Sequence, residues 1–427
     1  MKLFSFFYNV VFVPFFIIFN RILSPFIPKL KERNRDLLSS LNALDKLNRR
    51  KKTIWFHSSS MGEFEQAKPI IERIKSSNPE VQILCTFFSP SGFRTQKNYE
   101  FADAISYLPF DSRKNVRNFI EKAQPDIAIF VRYEIWFNYL SLLSAKNIKT
   151  ILINATFPSA IRKFSFLGKI YRFMFNLFDE IYTISEEHFL LFSSLDISAK
   201  LFRSHDTRFE RIFNKVSEYK SSPIFPKSCF LSDTVLVAGS TWTEDEIILV
   251  KSFNSIDAPL TLIIVPHEPT PSHISQLRKK LPHSYLLSDL LSRLASGEEI
   301  KISKGVIVVD SIGYLLKLYA NADIAYIGGS FGAGVHSLAE PAGYGIPLIT
   351  GKNCMNSPDT PSLLSSGALH TICDASELTL CLERLISDQS FRELSGKSSA
   401  LYIQNNLGAT DQILTMLYKH LDLVIPN

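Results

Sequence analysis

The chain has 427 residues, which is too long for one ordinary hydrophobic core and suits two domains of roughly 200 residues each. Its net charge of +6 is diluted along the sequence, with acidic residues among the basic ones, so we predict no nucleic-acid partner. The five cysteines are scattered, without a C-x-x-C pair or a histidine at metal-ligand spacing. We interpret them as reduced thiols and expect neither a metal nor a cofactor.

An uncharged, phenylalanine-rich segment opens the chain from Leu3 to Asn20. Its length of about 18 residues is at the short end for a membrane span. Lys2 alone precedes the segment, whereas five basic residues follow it between Arg21 and Arg35, and this asymmetry places the body of the protein in the cytoplasm. We therefore predict that residues 1–29 attach the protein to the inner (cytoplasmic) membrane and contact membrane lipid.

The form of this attachment has two interpretations. Asn9 and Pro14 weaken a helix that spans the bilayer, and a helix that lies in the membrane interface is the alternative. A cleaved signal peptide fits less well, because no small-x-small cleavage site follows and Pro25 and Pro28 lead directly into a basic helix.

Strands and helices alternate after this segment, and we predict a first domain over residues 30–220. Its apolar strand cores are separated by helix-like or polar sequence, which indicates a mostly parallel sheet covered on both faces. The predicted strand cores are Ile54–His57, Val81–Phe88, Ile105–Phe110, Asp126–Val131, Thr150–Asn154 and Glu180–Ile184.

Pro223 and Pro226 interrupt the alternation, so we interpret residues 221–228 as a linker. The alternation restarts in a second domain, residues 229–405, and a C-terminal helix over residues 406–427 could pack on either domain. The predicted strand cores are Thr234–Ala238, Leu260–Val265, Val306–Val309, Asp323–Ile327, Ile346–Thr350 and Leu369–Cys373. Two such series indicate an α/β protein with two doubly wound, Rossmann-like domains that face a cleft.

The turn after the first strand is the strongest candidate for chemistry. There Ser60-Met61-Gly62-Glu63 leads from the strand into a helix. Loops at the carboxyl ends of parallel strands line the ligand crevice of an open α/β sheet, so Glu63 would point into a cleft. The same spacing is that of a capping box, in which Ser60 bonds the third helical amide and Glu63 reaches back to the Ser60 amide. The residues alone leave both roles open.

A glycine-rich turn, Gly328-Gly329-Ser330-Phe331, follows a strand of the second domain. Glycines at such a place let backbone amides approach a phosphate, although the pattern is neither a dinucleotide fingerprint nor a P-loop. His336 comes next, and we expect a helix that Ser337 caps, with Glu340 in its first turn. Glu340 is then either a capping residue or a carboxylate that binds ribose hydroxyls, and the glycines are either a phosphate site or a structural turn.

Other strand ends carry polar side chains with two interpretations each. Ser240-Thr241 precedes an acidic helix start, which favours capping as much as ligand binding. His267 is either a ligand contact or a polar loop residue. Glu134 is either part of a surface ion pair or a neighbour of the first candidate turn. Arg208 either binds an anionic group of a substrate or forms a salt bridge between the domains.

Taken in order, these motifs resemble the 3-deoxy-D-manno-octulosonic acid (Kdo) transferase family. They run in the family's order over nearly the whole chain, including the N-terminal membrane segment. The residues that carry the resemblance are Ser60-Met61-Gly62-Glu63, Phe88-Ser89-Pro90-Ser91-Gly92, Glu134 with Trp136, Asp206-Thr207-Arg208-Phe209, Gly239-Ser240-Thr241, Gly328-Gly329-Ser330-Phe331, His336 and Glu340-Pro341.

The resemblance implies a GT-B fold and a metal-independent, inverting transfer of Kdo from CMP-Kdo to a lipid A precursor, a step of lipopolysaccharide core biosynthesis. It implies that Glu63 is the catalytic general base, and that the first domain binds the acceptor. The implied residues that support the acceptor side or the transition state are Ser60, Gly62, Glu134 and Arg208. The implied donor-binding residues, in the second domain, are Ser240, Thr241, His267, Gly328, Gly329, Ser330, Phe331, His336 and Glu340.

Three short stretches depart from the family's pattern. The chain has Pro266-His267-Glu268 where the family often has Pro-Arg-His, so the arginine contact to the donor is missing or moved. It also has His336-Ser337-Leu338-Ala339-Glu340 in place of His-Asn-Pro-Leu-Glu, and Asn154-Ala155-Thr156 in place of Asn-Ala-Arg. These departures leave the expected class of enzyme unchanged and bear on the donor contacts.

Two other hypotheses compete with this interpretation. One is another GT-B enzyme, either a glycosyltransferase that uses a UDP-sugar or a sugar-nucleotide epimerase; the membrane segment and the Ser-x-Gly-Glu turn argue against the epimerase. The other is a membrane-attached relative that has lost the chemistry, against which the presence of Glu63 argues.

Overall fold

The computed structural model describes residues 2–159, 161, 167–230, 234–332 and 334–423. These residues form two compact units. The first comprises the described residues up to Arg211 together with those from Leu407 onward, and the second comprises Ile212–Asn406. The last helix of the chain therefore belongs to the unit in which the chain begins.

A parallel sheet of seven strands forms the centre of the first unit, in the order β3-β2-β1-β4-β5-β6-β7. Its strands are β1 (Thr53–Ser58), β2 (Gln82–Phe87), β3 (Ala104–Tyr107), β4 (Ile127–Val131), β5 (Lys149–Ala155), β6 (Glu180–Thr183) and β7 (Lys200–Arg203). Strands β1 and β4 lie side by side although two strands separate them in sequence. The direction of winding reverses at this pair, which is where ligands bind in open α/β sheets.

Helices cover both faces of this sheet, and each face has its own apolar core. One core surrounds Phe64 and Ile70 of the helix after β1, and the other surrounds Trp55 and Tyr139. The described α-helices of this unit that follow the N-terminal segment are Pro28–Leu41, Met61–Ser77, Pro90–Gln96, Arg113–Ala123, Phe137–Ala145, Leu167–Phe175 and Glu186–Ser193, with Ala409–Leu421 returning from the end of the chain. The helix Arg208–Ser221 begins in the first unit and continues into the second.

The second unit repeats this plan around a parallel sheet in the order β10-β11-β9-β8-β12-β13-β14. Its strands are β8 (Thr234–Thr241), β9 (Leu260–Pro266), β10 (Tyr285–Leu286), β11 (Val306–Val308), β12 (Ile324–Ile327), β13 (Leu348–Gly351) and β14 (Leu369–Ile372). Here β8 and β12 are the neighbours at which the winding reverses. Both sheets confirm the predicted doubly wound α/β class.

The helices of the second unit vary in length, and a short one follows the glycine-rich turn. The described α-helices are Thr243–Ser255, Pro271–Lys280, Leu287–Ala295, Leu315–Leu318, Ala339–Ala342, Thr360–Ser365, Ala375–Ser387 and Gln389–Gln404. The predicted cap at Ser337 is wrong, because the short helix begins at Ala339 and Leu338 occupies its N-cap. The His336 amide instead donates to the Gly328 carbonyl at 3.3 Å. This bond folds the residues around His336 back onto the glycine turn, so the helix begins later, at Ala339.

The N-terminal segment forms a helix from Leu3 to Leu23, 21 residues with a mean hydropathy of 1.9, which is long and apolar enough to cross a membrane. A π-helical stretch, Tyr8–Phe12, lies within it. One side of this helix packs along the first unit. Near the start of the helix, the Phe4 ring packs against Phe137 with ring centroids 5.2 Å apart. Three turns later Phe16 meets Phe110 at 5.6 Å.

Polar contacts hold the same helix at both ends. The Tyr8 hydroxyl donates to Asp111 Oδ2 at 2.7 Å, and Asn34 donates to Asn20 Oδ1 at 2.8 Å. The opposite side of the helix exposes a continuous row of large apolar side chains. The members of this exposed face are Leu3, Phe6, Phe7, Val10, Val11, Phe12, Phe15, Ile18, Phe19 and Ile22. The helix thus has one face on the protein and one apolar face without protein cover among the described residues.

Candidate active site

The Glu63 side chain lies at the carboxyl end of β1, in the first turn of the Met61–Ser77 helix. Its Oε2 atom accepts hydrogen bonds from the Ser59 amide at 2.5 Å and the Ser60 amide at 3.1 Å. Ser60 and Glu63 therefore form the capping box that the spacing predicts. Both bonds use one oxygen, so capping leaves the second carboxylate oxygen available for another role. Neighbouring Gly62 is exposed, and a Cβ there would meet open space.

A buried histidine and a second glutamate adjoin Glu63. His57 is the penultimate residue of β1 and is fully buried; its Nε2 lies 3.3 Å from Glu134 Oε2. Its Nδ1 lies 2.9 Å from Thr86 Oγ1 on the neighbouring strand β2. Trp136 Nε1 donates to Glu134 Oε2 at 2.9 Å. The predicted residues Glu63 and Glu134 are thus brought together, because the adjacent strands β1 and β4 end at the same edge of the sheet.

Burial and these neighbours shift the pKa of Glu63. Burial raises the pKa of the Glu63 carboxyl, and the negative charge of Glu134 raises it further. The two amide hydrogen bonds from Ser59 and Ser60 and the nearby His57 oppose the increase. A carboxylate whose pKa lies above its ordinary value is a better proton acceptor once ionised, which is the property that a general base requires.

Sequence analysis assigns no role to His57, and only a weak signal pointed to it. The residue lies in an apolar strand, where a histidine is unusual, but its partner Glu134 is distant in sequence. The pairing depends on β1 lying beside β4, and the order of strands is not readable from the run of residues.

Arg208 lies in a separate polar network of the same unit. Its backbone amide donates to Asp206 Oδ1 at 2.9 Å, and its Nε lies 3.5 Å from Asp206 Oδ2. Arg132 NH2 lies 3.6 Å from the same oxygen, and Gln66 donates to it at 3.2 Å. Gln66 follows Glu63 by nearly one helical turn, so this network and the capping turn share one helix. Sequence analysis also missed Gln66.

Three aromatic rings form the centre of the candidate site in the second unit. The Trp242 and His267 rings stack with centroids 4.8 Å apart, and those of His267 and His336 stack at 4.6 Å. Trp242 Nε1 donates to His336 Nε2 at 3.1 Å. Burial lowers the pKa of His336, as does the neighbouring His267, which favours the neutral imidazole that this hydrogen bond requires.

The glycine turn lies beside these rings, at the carboxyl ends of β8 and β12. Gly329 has a φ of +98°, and its amide donates to Asp245 Oδ2 at 2.9 Å. A Cβ on Gly328 would lie 2.5 Å from the Ser240 carbonyl oxygen, so the two turns approach closely. Ser240 itself has a φ of +54°. The predicted residues Ser240, Thr241, His267, Gly328, Gly329 and His336 are therefore brought together.

Three of the predicted donor residues, Thr241 among them, have side chains that point into the protein. Ser330 is fully buried and its Oγ accepts from the Gly351 amide at 2.7 Å, which joins the turn to β13. The Thr241 hydroxyl is also fully buried and donates to Glu246 at 3.1 Å. Phe331 packs against the core of the unit. These side chains support the turns, which leaves the backbone as the part that can contact a ligand.

Glu340 lies in the short Ala339–Ala342 helix, at intermediate exposure. Its charge contributes to raising the pKa of Tyr319 and of Tyr344, so its carboxylate lies near both phenols. Within the part of the chain that the structure describes, no group of three or more His, Cys, Asp or Glu residues is placed to hold a metal ion.

Comparison with solved structures identifies the fold. UDP-GlcNAc 2-epimerase from Neisseria meningitidis, solved with bound UDP-GlcNAc, superposes with a TM-score of 0.61 at 14% identity, covering 86% of this chain and 100% of that one. MurG from Acinetobacter baumannii superposes with a TM-score of 0.52 at 10% identity, covering 86% and 99%. Together with the two doubly wound sheets, these likenesses show a GT-B fold.

Comparison of sequences identifies the family. Residues 31–211 match a family model described as 3-deoxy-D-manno-octulosonic-acid transferase (kdotransferase). The 3-deoxy-D-manno-octulosonic acid transferase of Haemophilus influenzae is 26% identical over 388 residues, covering 86% of this chain and 87% of that protein. The protein of the same description from Aquifex aeolicus is 29% identical over 361 residues, covering 81% and 91%. The chain is therefore similar over most of its length to proteins described as Kdo transferases, and residues 31–211 match the model of that family.

Proposed function

We propose that the protein transfers Kdo from CMP-Kdo to a hydroxyl of a lipid A precursor, with inversion at the anomeric carbon, in lipopolysaccharide core biosynthesis. The observation that carries this proposal is Glu63, a buried carboxylate at the winding reversal of the first sheet. Its capping bonds use Oε2 alone, so Oε1 is the oxygen that we assign to the acceptor hydroxyl.

The reaction needs one proton transfer and one displacement. As the acceptor oxygen attacks the anomeric carbon of Kdo, Glu63 takes its proton, the new carbon–oxygen bond forms, and the bond to the CMP phosphate breaks. CMP leaves with the bonding electrons as a phosphate anion, which needs stabilisation of charge rather than protonation. Glu134 and Ser60 hold Glu63 in its electrostatic setting, and Arg208, with Gly62 at the exposed turn, lies on the acceptor side.

The donor is assigned to the second unit. The Gly328-Gly329 turn and the Ser240-Thr241 turn are assigned to the side of the CMP phosphate. The Gly328 and Gly329 amides donate to the Gly239 carbonyl and to Asp245 Oδ2, so these glycines shape the turn, whose close approach to Ser240 leaves no room for a Cβ. The exposed His267 and the partly exposed His336 are assigned to the same phosphate, with Glu340 on the ribose. Ser330 and Phe331 are assigned to holding the turn, because Ser330 is fully buried and Phe331 packs against the core of the unit.

The N-terminal helix and the charges that flank it support a proposal for the location. We assign the protein to the inner membrane with its catalytic body in the cytoplasm, because the exposed apolar face needs lipid cover and the basic residues follow the helix.

Mass spectrometry of a tetraacylated lipid A precursor, incubated with the purified full chain and a CMP-Kdo supply, tests the proposal. A mass gain of Kdo is the expected result, and its size counts the units added. Thermal shifts with CMP, UMP and UDP run in parallel, since the matching nucleotide stabilises the protein by mass action. No gain with a preference for UDP would favour a UDP-sugar enzyme. No gain and no nucleotide response would favour a non-catalytic relative.

A further inference from the structure

A cavity of ≈ 370 Å³ lies between the N-terminal helix and the body of the first unit. Its walls are mostly apolar. The helix contributes Val13 and Ile17, and the body contributes Phe110, Trp136 and Met174. Cavities that hold small ligands begin at about 300 Å³ and have this composition, a mainly apolar lining with few polar groups. We call this cavity the helix slot.

The helix slot shares two lining residues, Glu134 and Trp136, with the surroundings of Glu63. Glu134 lines the slot and also lies 3.3 Å from His57, beside Glu63. Trp136 lines the slot as well and donates its indole hydrogen bond to Glu134. A molecule whose apolar part fills the slot therefore has its polar end next to the proposed base.

The helix that closes the slot is fixed to the body on one side and uncovered on the other. Tyr8 donates to the buried Asp111, and Asn138 donates to Asn9 Oδ1 at 2.9 Å. The Asp111 carboxylate also accepts from the Asn138 and Tyr139 amides, which ties the helix to the start of the Phe137–Ala145 helix. The exposed face of the helix is suited to lipid, so the slot lies directly behind a surface that faces the membrane.

We propose that the helix slot receives one acyl chain of the lipid acceptor, and that the N-terminal helix is a wall of the acceptor site as well as an attachment to the membrane. The proposal rests on the proposed function, because it is the acylated acceptor that joins an apolar chain to a hydroxyl near Glu63. A helix packed against the body from Phe4 to Asn20 also lies along the membrane surface, with lipid on one side only.

Filling the slot tests this directly, with the full chain in detergent. Val13 is 7% exposed and Ile17 lies one turn later, so Val13→Phe and Ile17→Phe each add volume inside the slot. Val11→Phe is the matched control: it also replaces a valine by phenylalanine, but on the exposed face of the helix, where Val11 is 54% exposed. The three variants are compared for kcat/KM with a tetraacylated acceptor and with the same phosphorylated disaccharide after removal of its acyl chains.

We expect the ratio of kcat/KM for the acylated acceptor to that for the deacylated acceptor to fall at least tenfold in Val13→Phe and Ile17→Phe, with the wild-type ratio in Val11→Phe. An unchanged ratio in both slot variants would overturn the proposal. An equal fall in Val11→Phe would also overturn it, since that result would assign the effect to membrane partitioning.

A second measurement does not depend on turnover and separates this proposal from the proposed function. A dibrominated fatty acid in the slot would quench Trp136 fluorescence. Trp136→Phe identifies the part of the signal that belongs to that residue, and Val13→Phe should abolish the quenching. If no variant transfers Kdo while this quenching is seen, the proposed function fails and the acyl slot stands. Transfer without quenching in the wild type would refute the slot alone.

Discussion

His57 Nε2 lies 3.3 Å from Glu134 Oε2, and the imidazole of this pair is fully buried. Trp136 donates to the same oxygen, so two side chains fix the orientation of the Glu134 carboxylate. Burial raises the pKa of Glu63, and the charge of Glu134 raises it further. Glu134 cannot move away from this position without losing its contacts with His57 and Trp136. In the proposed function the two carboxylates have separate roles: Glu63 accepts the proton, and the charge of Glu134 adds to the effect of burial in raising the pKa of Glu63.

Replacing the base tests the first role. Glu63→Gln should lower kcat by about 100-fold or more, as loss of a general base typically does. Its amide oxygen can still accept from the Ser59 and Ser60 amides, so the helix start should survive. CMP affinity, measured by calorimetry, should be close to that of the wild type. A comparable loss of CMP affinity would show that the substitution damages the fold and that capping is the main role of Glu63.

The pH dependence tests the second role. Glu63 acts as a base only when ionised, so kcat/KM should rise with pH through its pKa. Burial raises this pKa most, and the Glu134 charge raises it further. Glu134→Gln removes that charge and should move the acidic limb of the kcat/KM profile to lower pH. Glu80→Gln is the control, because exposed Glu80 precedes β2 and lies at the opposite edge of the parallel sheet. A limb that stays in place in Glu134→Gln would refute the coupling.

The attachment of the N-terminal helix depends on Tyr8. Tyr8→Phe keeps the ring contact with Phe137 but removes a donor from the buried Asp111 carboxylate, a loss of about 1–3 kcal/mol. Amide hydrogen exchange of the Lys2–Leu23 segment in detergent should accelerate about tenfold, the factor that corresponds to 1.4 kcal/mol. The same change at Tyr285, which is 39% exposed, should leave exchange in this segment unaltered. Equal protection in Tyr8→Phe would show that apolar contacts alone hold the helix.

Substitutions of two glycines in the same turn, Gly329 and Gly332, test whether this turn takes part in donor binding. A Cβ on Gly329 would lie 2.3 Å from the Gly334 carbonyl oxygen, and its φ of +98° is unfavourable for alanine. A Cβ on Gly332 would meet nothing within 4 Å. We therefore expect Gly329→Ala to weaken CMP binding at least tenfold and Gly332→Ala to bind like the wild type. Titration calorimetry measures both. Wild-type affinity in Gly329→Ala would remove the turn from the donor site.

Most of the sheet is readable from the sequence because its central strands are apolar on both faces. Each of the predicted strand cores overlaps an observed strand, with ends that differ by at most three residues. The two strands that sequence analysis missed, β7 and β10, are edge strands with exposed residues. An edge strand needs no continuous apolar run, since one side of it has no neighbour.

The candidate site can be predicted only in part from the sequence, because much of its geometry depends on contacts between residues that are distant in sequence. The capping box at Glu63 follows from local spacing, and the structure contains it. The pairing of His57 with Glu134 depends on which strands are neighbours, and the burial of Ser330 depends on β13. Sequence analysis left the partner of the C-terminal helix open for the same reason, since an amphipathic helix fits any apolar surface of suitable shape.

The C-terminal helix has a consequence for how the protein is made. Ile413 and Leu417 of this helix belong to the same apolar core as Ile71 of the Met61–Ser77 helix, and Tyr418 lies 2.9 Å from Ser77 at the hydroxyl oxygens. During synthesis, the first part of the unit that carries Glu63 leaves the ribosome before the second unit. Its apolar core stays incomplete until the C-terminal helix has been synthesised, after the whole second unit. Because domains fold as units when their segments emerge, the later domain completes first. A nonsense codon shortly after residue 406 would therefore spare the second unit and leave the first unit, which carries Glu63, without its last helix.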